Sequence, residues 1–380
     1  MKEICQNEPC TGCGLCASIC PQQCISFVQK ELGHLYPEID QSACINCGKC
    51  AKYCPQNKPV DFHEPISAFA AWAKDSTEYE SSTSGGAASL LANQTIAKGG
   101  VVYGVTVKPQ VEIEFERITN YEGIIRTKGS KYVQSNVHKQ FNNIKKDVGS
   151  GKEVLFIGTP CQVAAVRKLF SYQPQNLLLV DLICHGVPSL HLLKAHISSI
   201  FNIANVSNVK FRTKMGCQLL LIDNNDTEIY SYLPWASVNV EDFYYDAFLE
   251  GYTYRNSCYQ CKYACPKRCS DITIGDFWGI DSTAEKLMLP HQNGMSLIMP
   301  ITEKGENAIE KIKEKLNLYE RPTHEAIRGN EQLRHPKNMN KRIRTFRYLS
   351  RLLSPPKAFK LVKADIKIRQ VIYHIIKIQK

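Results

Sequence analysis

The sequence predicts an α/β protein: a cysteine-rich amino-terminal module, a body of alternating strands and helices, and a basic helical tail. Three observations carry this. Ten of the 17 cysteines fall within the first 54 residues. Beyond residue 60, continuous apolar runs such as "EVLFIGT" and "NLLLVDLI" alternate with helix-like stretches, as in a sheet buried on both faces. The charge is lopsided: Lys337 to Lys380 carry thirteen Lys and Arg against the single acid Asp365, so the other 336 residues contribute about −1 of the net +11. A nearly neutral body gives nucleic-acid binding little support. At 43% hydrophobic and 22% charged the chain has an ordinary globular composition, and no run approaches 18 apolar residues.

The module comes first. Its opening "MKEICQNEPC" lacks the apolar core of a secretory signal, so the expected setting is cytoplasmic and reducing, where dense cysteines favour metal over disulfides. Cys10, Cys13, Cys16, Cys20 and Pro21 spell C-x2-C-x2-C-x3-C-P, and Cys44, Cys47, Cys50, Cys54 and Pro55 spell it again, offset by 34 residues. This is the spacing of two-cluster bacterial ferredoxins, where the fourth cysteine of each run ligates the other cluster. The expected sets are Cys10, Cys13, Cys16 and Cys54 for one 4Fe-4S cluster, and Cys44, Cys47, Cys50 and Cys20 for the other. Gly12, Gly14 and Gly48 allow tight turns that bring backbone N–H groups near the cluster sulfurs. Cys5, Cys24 and Cys217 read as packing thiols. Short helices after each cluster loop are the only regular structure expected, within a domain at residues 1–60.

"PVDFHEP" reads as a linker. In the body, "AFAAWA", "VVYGVTV", "VEIEFERI", "EVLFIGT" and "NLLLVDLI" read as strands, with helices near Ala87–Ala97, Val137–Val148, Gln162–Phe170 and Leu190–Phe201. "VSNVKFR", "QLLLID" and "EIYSY" suggest an antiparallel extension, and "DITIGDFWGI" and "SLIMPIT" late strands. "KGENAIEKIKEKL" reads as a charged surface helix.

Several loops suit a cofactor. Ser84, Gly85 and Gly86 precede a helix whose positive end favours phosphate, although a plain helix start explains them equally well. Thr159, Pro160, Cys161 and Gln162 follow one strand, and Cys184, His185 and Gly186 follow another, at the carboxyl ends where ligands gather. "KGSK" places Lys128 and Lys131 on a glycine-flexed turn. Cys258, Cys261, Cys265 and Cys269 lack the ferredoxin spacing, yet four close thiols still suggest metal.

"GTPCQVAAVRKL", "VDLICHGVPS", "KGSKYVQS" and "SDITIGDFWGI" together resemble the coenzyme F420 hydrogenase/dehydrogenase beta-subunit family. More narrowly, they resemble its bacterial branch with an amino-terminal two-cluster 4Fe-4S ferredoxin-like domain, often associated with surface-polysaccharide loci. The resemblance spans roughly residues 1–320. It implies an α/β flavin-binding body at residues 61–320, leaving residues 321–380 as the tail. It also implies FAD held by Ser84, Gly85, Gly86, Lys131, Thr159, Pro160 and Gln162. A third 4Fe-4S cluster is implied on Cys161, Cys184, Cys258 and Cys261, with Cys258, Cys261, Cys265 and Cys269 as the local alternative.

The expected activity is that of an iron–sulfur flavoprotein oxidoreductase. A redox partner such as a ferredoxin or a reductase exchanges single electrons with the clusters. FAD exchanges two with a small-molecule substrate, a deazaflavin of the F420 kind or another, in a role that includes surface polysaccharide biosynthesis. His185 and Lys131 are the candidate proton donors. The alternatives are a non-catalytic electron-transfer subunit serving a partner enzyme, and a transferase with structural clusters. The tail reads either as a helix packing through its isoleucines or as an amphipathic helix at the inner face of an anionic membrane.

Overall fold

The computed structural model describes residues 3–5, 9–236, 241–280 and 294–364. The cysteine-rich module repeats itself in space as in sequence. Short helices Leu15–Ser18 and Lys49–Lys52 each follow a left-handed glycine, Gly14 (φ 80°) and Gly48 (φ 70°). The N–H groups of Cys20 and Cys54 close equivalent turns on the carbonyls of Ala17 and Ala51, both at 3.3 Å. The sequence reading missed the hairpin between the two copies, β1 (Ile25–Gln29) and β2 (Leu35–Ile39).

The body is built on eight strands. In chain order they are β3 (Ala68–Ala73), β4 (Val101–Lys108), β5 (Glu112–Ile118), β6 (Val154–Gly158) and β7 (Leu177–Leu182). After a separate antiparallel sheet of β8 (Val206–Thr213), β9 (Gly216–Asp223) and β10 (Glu228–Tyr232) come β11 (Ile272–Asp276), β12 (Ser296–Pro300) and β13 (Leu316–Arg321). The order is β13-β3-β12-β11-β7-β6-β4-β5. The neighbours β4, β6, β7 and β11 are parallel, and the flanking pairs are antiparallel. Strand β13 was not read from sequence, because "LNLYER" shows no sustained apolar run. Its partner β3 fixes it instead, from Leu316 opposite Ala73 to Arg321 opposite Ala68.

Both sheet faces are covered. Leu155 packs with Leu90, Leu91 and Val180 on one side. Val154 and Phe156 pack with Val163, Val166 and Leu179 on the other. That two-sided burial is why these strands read as continuous apolar runs rather than alternating ones. Gly85 is pressed against β3: a methyl added there would lie 2.0 Å from the Ala71 carbonyl oxygen, so only glycine fits.

The described part of the tail packs on the body. Helix Lys341–Leu349 buries Ile343, Phe346 and Arg347, and Ala358, Phe359 and Val362 join the same core as Tyr252. Ile366, Ile368, Val371, Ile372, Ile375 and Ile376, on which the amphipathic reading rests, lie outside the described residues. No helix among the described residues is long and apolar enough to cross a membrane.

One buried ion pair ties the third cysteine loop to the sheet. Arg268 donates to Asp181 on β7 at 2.9 Å and to the Tyr263 carbonyl at 2.7 Å, and Thr273 on β11 donates to Asp181 at 2.6 Å. Replacing Asp181 by Asn leaves a guanidinium buried without its counter-charge. Denaturant titration is expected to show a loss of about 3–5 kcal/mol, read as a lower midpoint at unchanged slope.

Candidate functional site

Four spaces run from the amino-terminal module into the body. The outermost, about 20 Å3, is lined by Cys20, Cys44, Cys47 and Cys50, with Cys24 beside them. The next, also about 20 Å3, is lined by Cys10, Cys13, Cys16 and Cys54, with Cys5 on its wall. A third, about 60 Å3, brings Cys161, Cys184, Cys258 and Cys261 together and borders the second through Thr11, Cys13 and Gln56. The fourth is a cavity of about 340 Å3 that borders the third through Ser135, Thr159, Gln162, Cys184 and His185.

The thiols line the walls of these spaces. Among the described residues, no three His, Cys, Asp or Glu side chains meet as a single-ion site. Burial raises the thiols of Cys161, Cys184 and Cys258 above the ordinary range, so they favour becoming thiolates only opposite a positive centre. Cys10 goes the other way, to about 6: the hydrogen bond with Cys5 lowers it most, and the Arg255 guanidinium adds to that against burial.

Of the local grouping Cys258, Cys261, Cys265 and Cys269, only the first two line the third space. Cys269 is buried with its sulfur 3.8 Å from the Pro160 carbonyl, and Cys265 faces the carbonyls of Lys262 and Lys267. Cys5 and Cys24, read as packing thiols, stand beside the ferredoxin-type cysteines, with Cys24 Sγ 3.5 Å from Cys20 Sγ.

The large cavity opens where the parallel strands end, with Arg212 of the small sheet on its wall. Ser84, Gly86, Lys131, Thr159 and Gln162 line it. Gly85 and Pro160 do not: Gly85 is held against β3, and Pro160 borders the third space at the first turn of helix Pro160–Lys168. Gln162 is a brace, its amide oxygen accepting from the Thr159 N–H and hydroxyl, both at 2.9 Å, while its amide nitrogen donates to the Ser135 carbonyl at 2.9 Å. Helix Ala87–Ala97 turns its first residues, Ala87 to Ser89, towards the cavity. His185 lines both the cavity and the third space, and burial lowers its imidazole below the ordinary range.

Lys131 donates to the carbonyls of Thr127 (2.6 Å) and Lys128 (2.9 Å), both neutral, and burial lowers its ammonium to about 7. Lys128, by contrast, is paired with Glu78 at 2.8 Å. Sequence reasoning missed the ion pair of Arg212 on β8 with Asp276 at the end of β11, which joins the two sheets at the cavity wall. These residues lie 64 positions apart on different sheets, so no local pattern links them.

Matches to known families follow this layout. A 4Fe-4S dicluster domain model matches residues 9–58. The N-terminal and C-terminal models of the coenzyme F420 hydrogenase/dehydrogenase beta subunit match residues 68–142 and 151–326. The chain belongs to the coenzyme F420 hydrogenase/dehydrogenase beta-subunit family. This beta-subunit relative is therefore an iron–sulfur electron-transfer protein of an oxidoreductase family. Its fold is similar to that of a chain in the F420-reducing NiFe hydrogenase complex of Methanosarcina barkeri. The two are 16% identical, the match covering 71% of this chain and 91% of that one with a TM-score of 0.46. No curated protein matches the chain.

In this family member the cavity should prefer anions only while Lys131 keeps its proton. Binding of sulfate, whose charge does not change in this range, followed by calorimetry, is expected to weaken by roughly tenfold as pH rises through about 7, the value of one charged hydrogen bond. In Lys131→Met that pH dependence should disappear.

Proposed function

We propose that the chain is an iron–sulfur flavoprotein oxidoreductase. In this reading electrons pass between an outer redox partner and FAD through three 4Fe-4S clusters. The observation that carries it is the continuity of the inner spaces: the second and third share Cys13, and the third and fourth share Cys184. The ligand sets are Cys20, Cys44, Cys47 and Cys50 outermost, Cys10, Cys13, Cys16 and Cys54 next, and Cys161, Cys184, Cys258 and Cys261 innermost.

The cavity residues fit FAD. Its volume lies in the range of cofactor sites. The first turn of helix Ala87–Ala97 offers backbone N–H groups to a phosphate, and Lys131 offers a cation without a carboxylate partner. Ser84 Oγ is buried on this wall with no partner among the described residues. The clusters supply single-electron transfer, and FAD held in the cavity supplies the conversion to two-electron chemistry. Gln162 keeps Thr159 and Cys161 oriented between the two inner spaces, with Thr159 Oγ1 3.2 Å from Cys161 Sγ. His185, lining the cavity, can exchange a proton beside a bound substrate. The outer loop is where a ferredoxin or reductase would dock, since Cys47 is exposed and Ile45 is 59% exposed. A deazaflavin or another hydride acceptor is the proposed substrate class.

Anaerobic reconstitution with iron, sulfide and FAD tests this. The expected yield is about twelve irons and one flavin per chain, from three four-iron clusters. Cys258→Ser should lower the iron to about eight and leave the ferredoxin-type signals intact. A fully iron-loaded chain that binds no FAD would refute the proposal.

A further inference from the structure

Arg255 is one of the largest fully buried side chains in the molecule, 1% exposed, and it lies on the seam between module and body. Its Nε donates to the Cys10 carbonyl at 2.7 Å and its Nη2 to the Leu35 carbonyl at 2.8 Å. Nη2 also lies 3.7 Å from Cys10 Sγ, and Nη1 lies 3.3 Å from Gln134 Oε1. The guanidinium stacks 4.0 Å over the Tyr36 ring. Gly12 passes so close that an added methyl would sit 2.8 Å from the guanidinium carbon. On its other side Arg255 lines the third space. Its own backbone braces Cys258, whose N–H donates to the Arg255 carbonyl at 2.9 Å.

None of these partners is a carboxylate, and no ion pair among the described residues includes Arg255. A neighbouring base, His34, is held neutral chiefly by burial, its pKa lowered to about 3. A buried guanidinium with only neutral acceptors is strongly disfavoured unless an anion lies close by. Burial raises the Tyr36 phenol and keeps it neutral, which leaves thiols beside the guanidinium as the groups to become anionic: Cys10 in the second space and Cys258 in the third. A cube bound by four thiolates is net negative and gains a further negative charge on reduction, so a fixed cation beside it favours the reduced form. The outermost space touches none of the Arg255 contacts.

We propose that Arg255 is the counter-charge of the two inner cysteine sites. It would raise their reduction potentials above that of the outer site and so make the inward step of an electron downhill. The assignment rests on the three-cluster reading above. It makes Arg255 a positioning residue that acts through field and hydrogen bonding, without touching substrate.

The test uses the full chain, reconstituted anaerobically and titrated potentiometrically with electron paramagnetic resonance detection. Signals are assigned by Cys→Ser variants in each space. In Arg255→Gln the equilibrium constant for reducing the Cys10 site should fall at least tenfold, which is about 59 mV for one electron. The Cys44 site should stay unmoved, and Arg255→Lys should recover most of the loss. Gln134→Glu sets a carboxylate against the guanidinium without removing it. It should lower the same potential, and it keeps the proposal open to refutation if Arg255→Gln cannot hold iron. Iron-loaded variants in which inner and outer potentials stay put, or move together, would overturn the role of Arg255 while leaving the cluster reading intact. A wild-type chain that assembles no clusters would overturn both.

Discussion

Every functional relation in this molecule depends on the seam that fastens the cysteine-rich module to the sheet body. The seam is polar as well as apolar. Leu15 enters the core formed by Val163 and Phe141. Ser189 donates to the Leu32 carbonyl at 2.6 Å, Gln134 to the Thr11 carbonyl at 2.9 Å, and Ser18 to the His138 carbonyl at 3.0 Å. His34 Nε2 lies 3.2 Å from the Thr253 carbonyl, and Arg347 from the tail reaches both Glu31 of the module and the Tyr254 carbonyl of the body. Directional bonds of this kind set one docking geometry, where apolar contact alone would tolerate sliding. Electron transfer weakens steeply with distance, so in the proposed reading a fixed seam is what would let the cysteine sites serve the larger cavity.

The body meets its side of that constraint through topology. Parallel strands β6, β7 and β11 end in register, with Gly158 opposite Asp181 and Leu182 opposite Ile274. The segments leaving those ends, including the first turn of helix Pro160–Lys168, carry Cys161, Cys184 and part of the cavity wall, as expected at the carboxyl edge of an open sheet. Covering both faces leaves that edge as the place where polar groups can gather without disturbing the core. Lys131, Thr159 and the Arg212–Asp276 pair collect there.

Legibility varied with the range of the interaction. The 34-residue repeat is local chemistry: spacing, glycines and the following proline state the turn geometry, and Gly14 and Gly48 adopt matching left-handed conformations. Helix Ala87–Ala97 is likewise set by local pattern. The β1–β2 hairpin was missed because its strands are short and carry little apolar alternation, and β13 because its partner supplies the register. Arg255 gave no signal, since an arginine beside a cysteine loop looks like any solvated cation.

By itself the sequence determined the α/β character of the body, the paired cysteine repeats and the loops that follow each buried strand. These follow from periodicity and from spacings of a few residues, which act within one turn or one strand. Only the tertiary structure puts Cys161, Cys184, Cys258 and Cys261 on the wall of one space that Cys265 and Cys269 do not line, and presses Gly85 into packing rather than the cavity. It also decided that one buried arginine spans the seam. The physical reason is burial: whether a thiol faces a void or a core, and whether a charge has a partner, depends on surfaces that segments far apart in the chain bring together.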